Sequence, residues 1–141
     1  ALENLFQIIT MIIELIDIDL AYDRTRLAVN DTVRVDVGVK LNQEGIVKMA
    51  LIDLGVPPGF TVLTEDLRRL VEQGLIARYE LTGRQIIVYL QNLSYGEPIS
   101  FHYRLRAKYP LRAQTPASSA YDYYNPDVSG EAQPQMLVVV E

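Results

Sequence analysis

The chain has no cysteine and a single histidine among its 141 residues. The first absence excludes disulfides, thiolate metal sites and thiol nucleophiles. It does not report the compartment, since secreted domains can also lack cysteine. The lone imidazole, His102, falls on the polar side of an alternating segment beside Arg104 and Arg106. No Gly-x-Ser-x-Gly elbow supplies a nucleophile for it. A surface histidine accounts for it better than a catalytic one. An excess of positive charge is also missing. Lys+Arg number 13 against 18 Asp+Glu, for a net charge of −5. That argues against a nucleic-acid binder and a polybasic membrane-surface module, both of which need a basic footprint. No apolar run is long enough to insert in a membrane. The most apolar stretch, Leu5–Leu20, is interrupted by Glu14, Asp17 and Asp19, whereas a spanning helix wants about 20 apolar residues. No signal peptide is visible, because a basic n-region and a small-residue cleavage site are both lacking.

Cofactor and metal signatures are absent too. Gly55-Val56-Pro57-Pro58-Gly59 is a turn, not a phosphate loop, because its prolines remove amide donors. Asp17, Asp19 and Asp23 lack the spacing of a calcium loop and read as solvated strand-end carboxylates. Asn30-Asp31-Thr32 and Asn92-Leu93-Ser94 match the N-glycosylation pattern, a match common by chance. No cofactor, metal or catalytic residue is therefore expected, and the domain is read as non-enzymatic.

What is present is period two. A chain of this length fits one domain that buries roughly 70% of its unfolded surface. Thr32–Lys40 puts Val33, Val35, Val37 and Val39 on one face. Ile99–Tyr109 alternates in the same way, with Ile99, Phe101, Tyr103, Leu105, Ala107 and Tyr109 together. Both are half-buried strands. Ile46–Leu54 and Gln85–Leu90 are apolar on both faces and predict central strands covered on both sides or partly covered by a helix. Ile8–Tyr22 predicts one or two strands, with a helix as the alternative. Turn residues at 30–31, 42–45, 57–59, 82–83 and 94–96 separate these runs. The set predicts an all-β antiparallel β-sandwich.

One segment departs from this pattern. Thr64–Gly74 predicts a short crossover α-helix over about residues 64–73. Thr64 is the expected cap, Glu65 and Asp66 suit the positive end of the dipole, and Gly74 suits a left-handed stop. Leu67, Leu70 and Val71 form the buried stripe, which leaves Arg68, Arg69, Glu72 and Gln73 in solvent. Glu65 and Asp66 are thereby explained without acid–base chemistry. The basic stripe Arg104, Arg106 and Lys108 reads as the solvated face of a strand, where cations discourage edge pairing. Beyond Pro110, Leu111–Ala120 and Asn125–Gln135 read as loops and Met136–Val140 as a last strand closing the sheet. Tyr121–Tyr124 reads as an aromatic strand, with Tyr121 and Tyr123 on one packed face.

The order of segments is distinctive. Val56-Pro57-Pro58-Gly59-Phe60 precedes the helix. Gly83–Leu90, Tyr109-Pro110-Leu111-Arg112 and Tyr121-Asp122-Tyr123-Tyr124 follow it. This set resembles the C-terminal receptor-binding domain, or last macroglobulin domain, of the α2-macroglobulin family. The resemblance covers about Leu20 to Asn125. Pro-Pro-Gly-Phe and Tyr-Asp-Tyr-Tyr-Asn-Pro resemble the bacterial branch more than the vertebrate one.

The resemblance implies a sandwich with one helix, within a large protease-trapping protein of the cell surface, periplasm or extracellular space. Its partners would be neighbouring domains of the parent chain and, through the parent, target proteases. The family's thioester cysteine lies in another domain. In vertebrate members two helix lysines dock on a scavenger receptor, and those positions fall on Thr64 and Arg68 here. Thr64 loses the charge and Arg68 changes its geometry, which argues against a vertebrate-type receptor. Thr64, Arg68 and Arg69 remain the candidate partner-binding residues on the helix. The alternative function is a free-standing adhesin or carbohydrate-binding sandwich that uses Tyr121, Tyr123 and Tyr124.

The expected organisation is residues 1–19 as an N-terminal linker or first strand and residues 20–141 as the sandwich. Ala1–Gln7 (ALENLFQ) reads equally as a protease-site scar or a native linker. The missing initiator methionine and the apolar end at Glu141 read as the bounds of a segment of a longer protein.

Overall fold

The structure, a computed structural model, describes residues 14–141. Residues 1–13, with the scar-or-linker reading and the first part of the Ile8–Tyr22 segment, lie outside the described residues. The four-stranded sheet has the order β1-β3-β8-β5. Its strands are β1 (Ile16–Tyr22), β3 (Thr32–Leu41), β5 (Phe60–Val62) and β8 (Ile99–Ala107). The five-stranded sheet has the order β11-β10-β4-β7-β6. It is built from β4 (Ile46–Gly55), β6 (Arg78–Leu81), β7 (Gln85–Ser94), β10 (Ser118–Asp122) and β11 (Ser129–Ala132). A third, small sheet holds β2 (Arg26–Ala28), β12 (Met136–Val140) and β9 (Leu111–Gln114) in that order.

The alternating strands form as their pattern requires. Val33, Val35, Val37, Val39 and Leu41 are buried along β3, and Phe101, Tyr103, Leu105 and Ala107 along β8. The register sets Val37 against Phe101 and Val35 against Tyr103. From the other sheet Ala50, Ile52 and Leu54 meet Leu90, Val88 and Ile86. Each buried aliphatic side chain contributes about 1.5–3 kcal/mol, so these inner rows dominate the stability. Among the described residues one helix, α1 (Thr64–Glu72), links β5 of the first sheet to β6 of the second, which makes it the crossover of an all-β sandwich.

Four readings need correction. β4 and β7 are neighbours within the five-stranded sheet, but among the described residues no helix lies on their outer side, because α1 packs against β8. Ile87 and Tyr89 there are half-buried, and Arg78 sits over the Tyr89 ring at 4.1 Å. The supposed loop 111–120 contains β9 and the start of β10, and the loop 125–135 contains β11. These strands are four or five residues long, too short for alternation to register. The aromatic strand ends at Asp122 because that carboxylate accepts the Tyr124 N–H at 2.9 Å, an Asx-type turn. Tyr121 and Tyr123 therefore do not share a packed strand face. β12 does not close either main sheet. It pairs in parallel with β2 and antiparallel with β9.

Two sites test the packing. Gly130 on β11 lies so close to β1 that a Cβ there would overlap the Ile16 carbonyl oxygen. Backbone cannot rotate away, so Gly130→Ala is expected to cost about 1–3 kcal/mol or more in urea unfolding. The hydroxyl of buried Tyr103 has no hydrogen-bond partner among the described residues, and burial together with nearby Tyr22 pushes its pKa far above the usual phenol range. An orphaned buried hydroxyl costs about 1–3 kcal/mol. Tyr103→Phe is accordingly expected to leave the urea midpoint unchanged or raise it.

Candidate functional site

Helix α1 is positioned by what happens at both of its ends. β5 pairs with β8 for three residues only, through Phe60, Thr61 and Val62. Leu63 continues the tie by donating its N–H to the Arg104 carbonyl at 3.0 Å. It is Leu63, in extended conformation, that occupies the N-cap, and no side chain among the described residues caps the helix. Thr64 is the first helical residue, so the expectation that it caps the helix is corrected. At the other end Leu75 N–H reaches the Leu70 carbonyl and Gly74 N–H the Val71 carbonyl, both at 3.0 Å. Gly74 takes φ +75°. This pairing is a Schellman stop, in line with the left-handed role expected of Gly74.

The buried face consists of Asp66, Leu67 and Leu70, and Ile76 joins them just after the helix. Val71, expected in the buried stripe, is 36% exposed. The helix is turned toward Asp66 because Arg104 holds that carboxylate with two hydrogen bonds. Nε reaches Oδ2 and Nη2 reaches Oδ1, each at 2.9 Å. Such bidentate pairs fix orientation as well as distance. Asp66 is 5% exposed. Burial alone would raise its pKa, but the hydrogen bonds and charge of Arg104, with the charge of Arg69, hold it below the usual carboxylate range. Arg104 is held above its ordinary value by the same hydrogen bonds. Arg104 is thus not a merely solvated member of the basic stripe, whereas Arg106 and Lys108 are exposed.

The candidate partner-binding residues Thr64, Arg68 and Arg69 are all exposed. Thr64 and Arg68 stand four residues apart, one above the other on one helix face. Neither Arg68 nor Arg69 forms an ion pair among the described residues. Val71 and Leu75 extend the exposed side with apolar surface.

A second exposed region lies at one end of the five-stranded sheet. Ile46 is 63% exposed and Tyr124 72%. With Lys48 and Asp122 they line a cavity of about 390 Å³. Tyr123, whose N–H donates to the Met49 carbonyl at 2.9 Å, meets Tyr124 edge to face with ring centroids 5.2 Å apart. Reading these tyrosines as strand residues missed this patch; the signal was Asp122 two residues before Tyr124. His102 is exposed and opposes Asp36 across the sheet. Asp23 accepts the Arg34 N–H at 2.9 Å. Among the described residues no three His, Cys, Asp or Glu side chains are grouped to hold a metal ion.

The family model of the A-macroglobulin receptor binding domain matches residues 46–134. A crystal structure of native α2-macroglobulin from Escherichia coli, covering its C-terminal part, is similar at a TM-score of 0.76 and 19% identity. The match spans 90% of this chain and 24% of that one. The cryo-EM structure of the native E. coli protein gives 0.77 and 18%, over 90% of this chain and 9% of that one. E. coli α2-macroglobulin activated by porcine elastase gives 0.72 and 20%, over 90% and 13%. At such identities the likeness is one of fold, and the chain spans a quarter or less of each of these proteins. No curated protein matches the chain.

The Asp66–Arg104 pair has a signed pH dependence. Its carboxylate is lowered in the fold, so its contribution is present above the unfolded carboxylate value of about 3.9 and is lost as pH falls through the lower folded value. Asp66→Asn is expected to melt below the wild type at neutral pH. The gap should narrow progressively as pH falls below about 4, as read by thermal denaturation across a pH series. A gap that is constant with pH would contradict the pairing.

Proposed function

Since the chain belongs to the family of the A-macroglobulin receptor binding domain, we propose that it serves as a non-catalytic module of a macroglobulin-like protease inhibitor. The family match over residues 46–134 carries this reading. The protein acts outside the cytoplasm in this reading, on the cell surface, in the periplasm or in the extracellular space. The reactive steps belong to other parts of the parent chain. This module contributes surfaces that hold neighbouring domains before the parent is cut and that are rearranged afterwards.

Two surfaces suit that role. The helix presents Thr64, Arg68 and Arg69 on a scaffold fixed by the Asp66–Arg104 pair and the Schellman stop. The far end of the five-stranded sheet presents Ile46, Tyr123 and Tyr124, all more than half exposed. Uncovered apolar groups rimmed by charge are typical of interaction sites. Their exposure also keeps a glycan-binding reading in view. The two rings stand at 89°, however, so they offer no coplanar platform on which sugar rings could stack.

The parent protein tests this. Incubated with elastase, it is expected to abolish cleavage of a large protein substrate while cleavage of a small chromogenic peptide continues, the signature of steric trapping. Elastase that stays active on both substrates, or a parent of only one or two domains, would overturn the proposal. A glycan array probed with the isolated domain is expected to stay blank; saturable binding lost in Tyr124→Ser would favour the carbohydrate reading instead.

A further inference from the structure

The outer face of the four-stranded sheet carries a trough that no element of the described fold covers. Strand register creates it. Asp19, Gly38 and Ser100 are directly opposed across β1, β3 and β8, and so are Ala21, Asp36 and His102. These positions alternate with inward Val37 and Phe101 and therefore face outward. At Gly38 the middle of a row has no side chain. The result is a cavity of about 340 Å³. Through Asp19, Gly38 and Ser100 it runs into a second of about 180 Å³ that reaches Lys40 and Pro98.

The fold gives no reason for glycine at this position. Gly38 is not among the glycines with positive φ, and a Cβ there would meet nothing within 4 Å among the described residues. Gly55, Gly59 and Gly130, by contrast, are each crowded by a neighbour. A glycine weakens a strand interior, and where no turn or bulge requires it, it often marks the close approach of another group. A group approaching Gly38 would come from outside the described residues.

The charge of the trough selects its class. Asp17, Asp19 and Asp36 face it, against Lys40 and the imidazole of His102. Asp36 is paired with Arg34 at 3.1 Å and Asp17 with Lys40 at 3.8 Å. Both pairs are solvent-exposed, hold little energy and can be shared with an incoming cation. Asp19 has no ion pair among the described residues. We propose that this trough docks an arginine or lysine side chain carried by an extended segment of a protein partner. The methylene stem lies over Gly38 and Ala21, and the cationic head reaches Asp19 and Asp36. Long cationic side chains bind in this divided way, with the stem on apolar surface and the head among polar groups. The site is independent of the helix and of the macroglobulin role proposed above.

The test uses the isotope-labelled chain and short capped peptides, read by amide chemical shifts. Ac-Gly-Arg-Gly-NH2 is expected to shift Ser100 and His102 saturably, and Ac-Gly-Gln-Gly-NH2 to leave them in place. Gly38→Val fills the trough with a residue suited to strands and is expected to weaken binding about tenfold while the melting temperature holds or rises. Asp19→Asn adds no volume and is expected to weaken binding about threefold, with a matching loss in high salt. The proposal is overturned if the arginine peptide moves neither amide, or if Gly38→Val binds like the wild type. It is equally overturned if spermidine moves the same amides as strongly, since the face would then be a general sink for cations.

Discussion

The brevity of β5 is the constraint on which the rest of the arrangement depends. It pairs with β8 for three residues, and beyond that the edge of β8 and the space between the sheets need another cover. Helix α1 supplies it. Leu67 and Leu70 enter the core, and Ile76 follows them after the stop at Gly74. An amphipathic helix could meet that need in several rotations. The Asp66 carboxylate selects one, because it must face Arg104 to satisfy two hydrogen bonds. Once that rotation is set, the opposite face of the helix is set too. Thr64, Arg68 and the partly exposed Val71 point outward as a consequence of a contact made on the inside.

The energetics are uneven in a way that matters for this helix. The other ion pairs of the described residues join side chains that are each more than 40% exposed, and such pairs contribute little. Asp66 alone is buried within its pair. A buried carboxylate without its partner would be costly, so the pair works mainly by forbidding other arrangements. That is specificity of packing. Tyr103 is displaced by burial in the core and Asp66 by its arginine; each shift has a structural cause.

Legibility in the sequence follows the same division. Long strands with strict alternation, such as Thr32–Leu41 and Ile99–Ala107, announce both their existence and their inward face. The helix bounds were legible because Gly74 and the acidic first turn are local signals. Its rotation was not, because Arg104 lies 38 residues away on another strand. Reading Asp66 through the helix dipole alone was sufficient locally and said nothing of its burial. The clue was that residues 66, 67 and 70 fit one helical stripe as well as 67, 70 and 71 do. Strands of three or four residues, β2, β5, β6, β9 and β11, carry too few side chains for a period to show. Their partners decide them, as β12 decides β9. Tyr121–Tyr124 failed differently. Its aromatic content suits a strand, but one aspartate side chain bends the chain before the strand can include them all.

Those misreadings bear on function. Residues legible from local pattern are mostly core residues, since burial imposes periodicity. Surface positions obey no such rule, and here they are where the structure departs most from expectation. Val71 moves outward, Tyr123 and Tyr124 leave the sheet, and Gly38 opens a trough between well-formed strands. A domain whose surface existed only to be wetted would have no use for a large aromatic side chain at 72% exposure or for a glycine in the middle of a paired strand. Each carries a cost in isolation, the first in exposed apolar area and the second in strand stability. Such costs are offset when another surface covers the site. The proposed role, as one module of a larger macroglobulin-like protein, therefore accounts for outward faces that are less regular than the core.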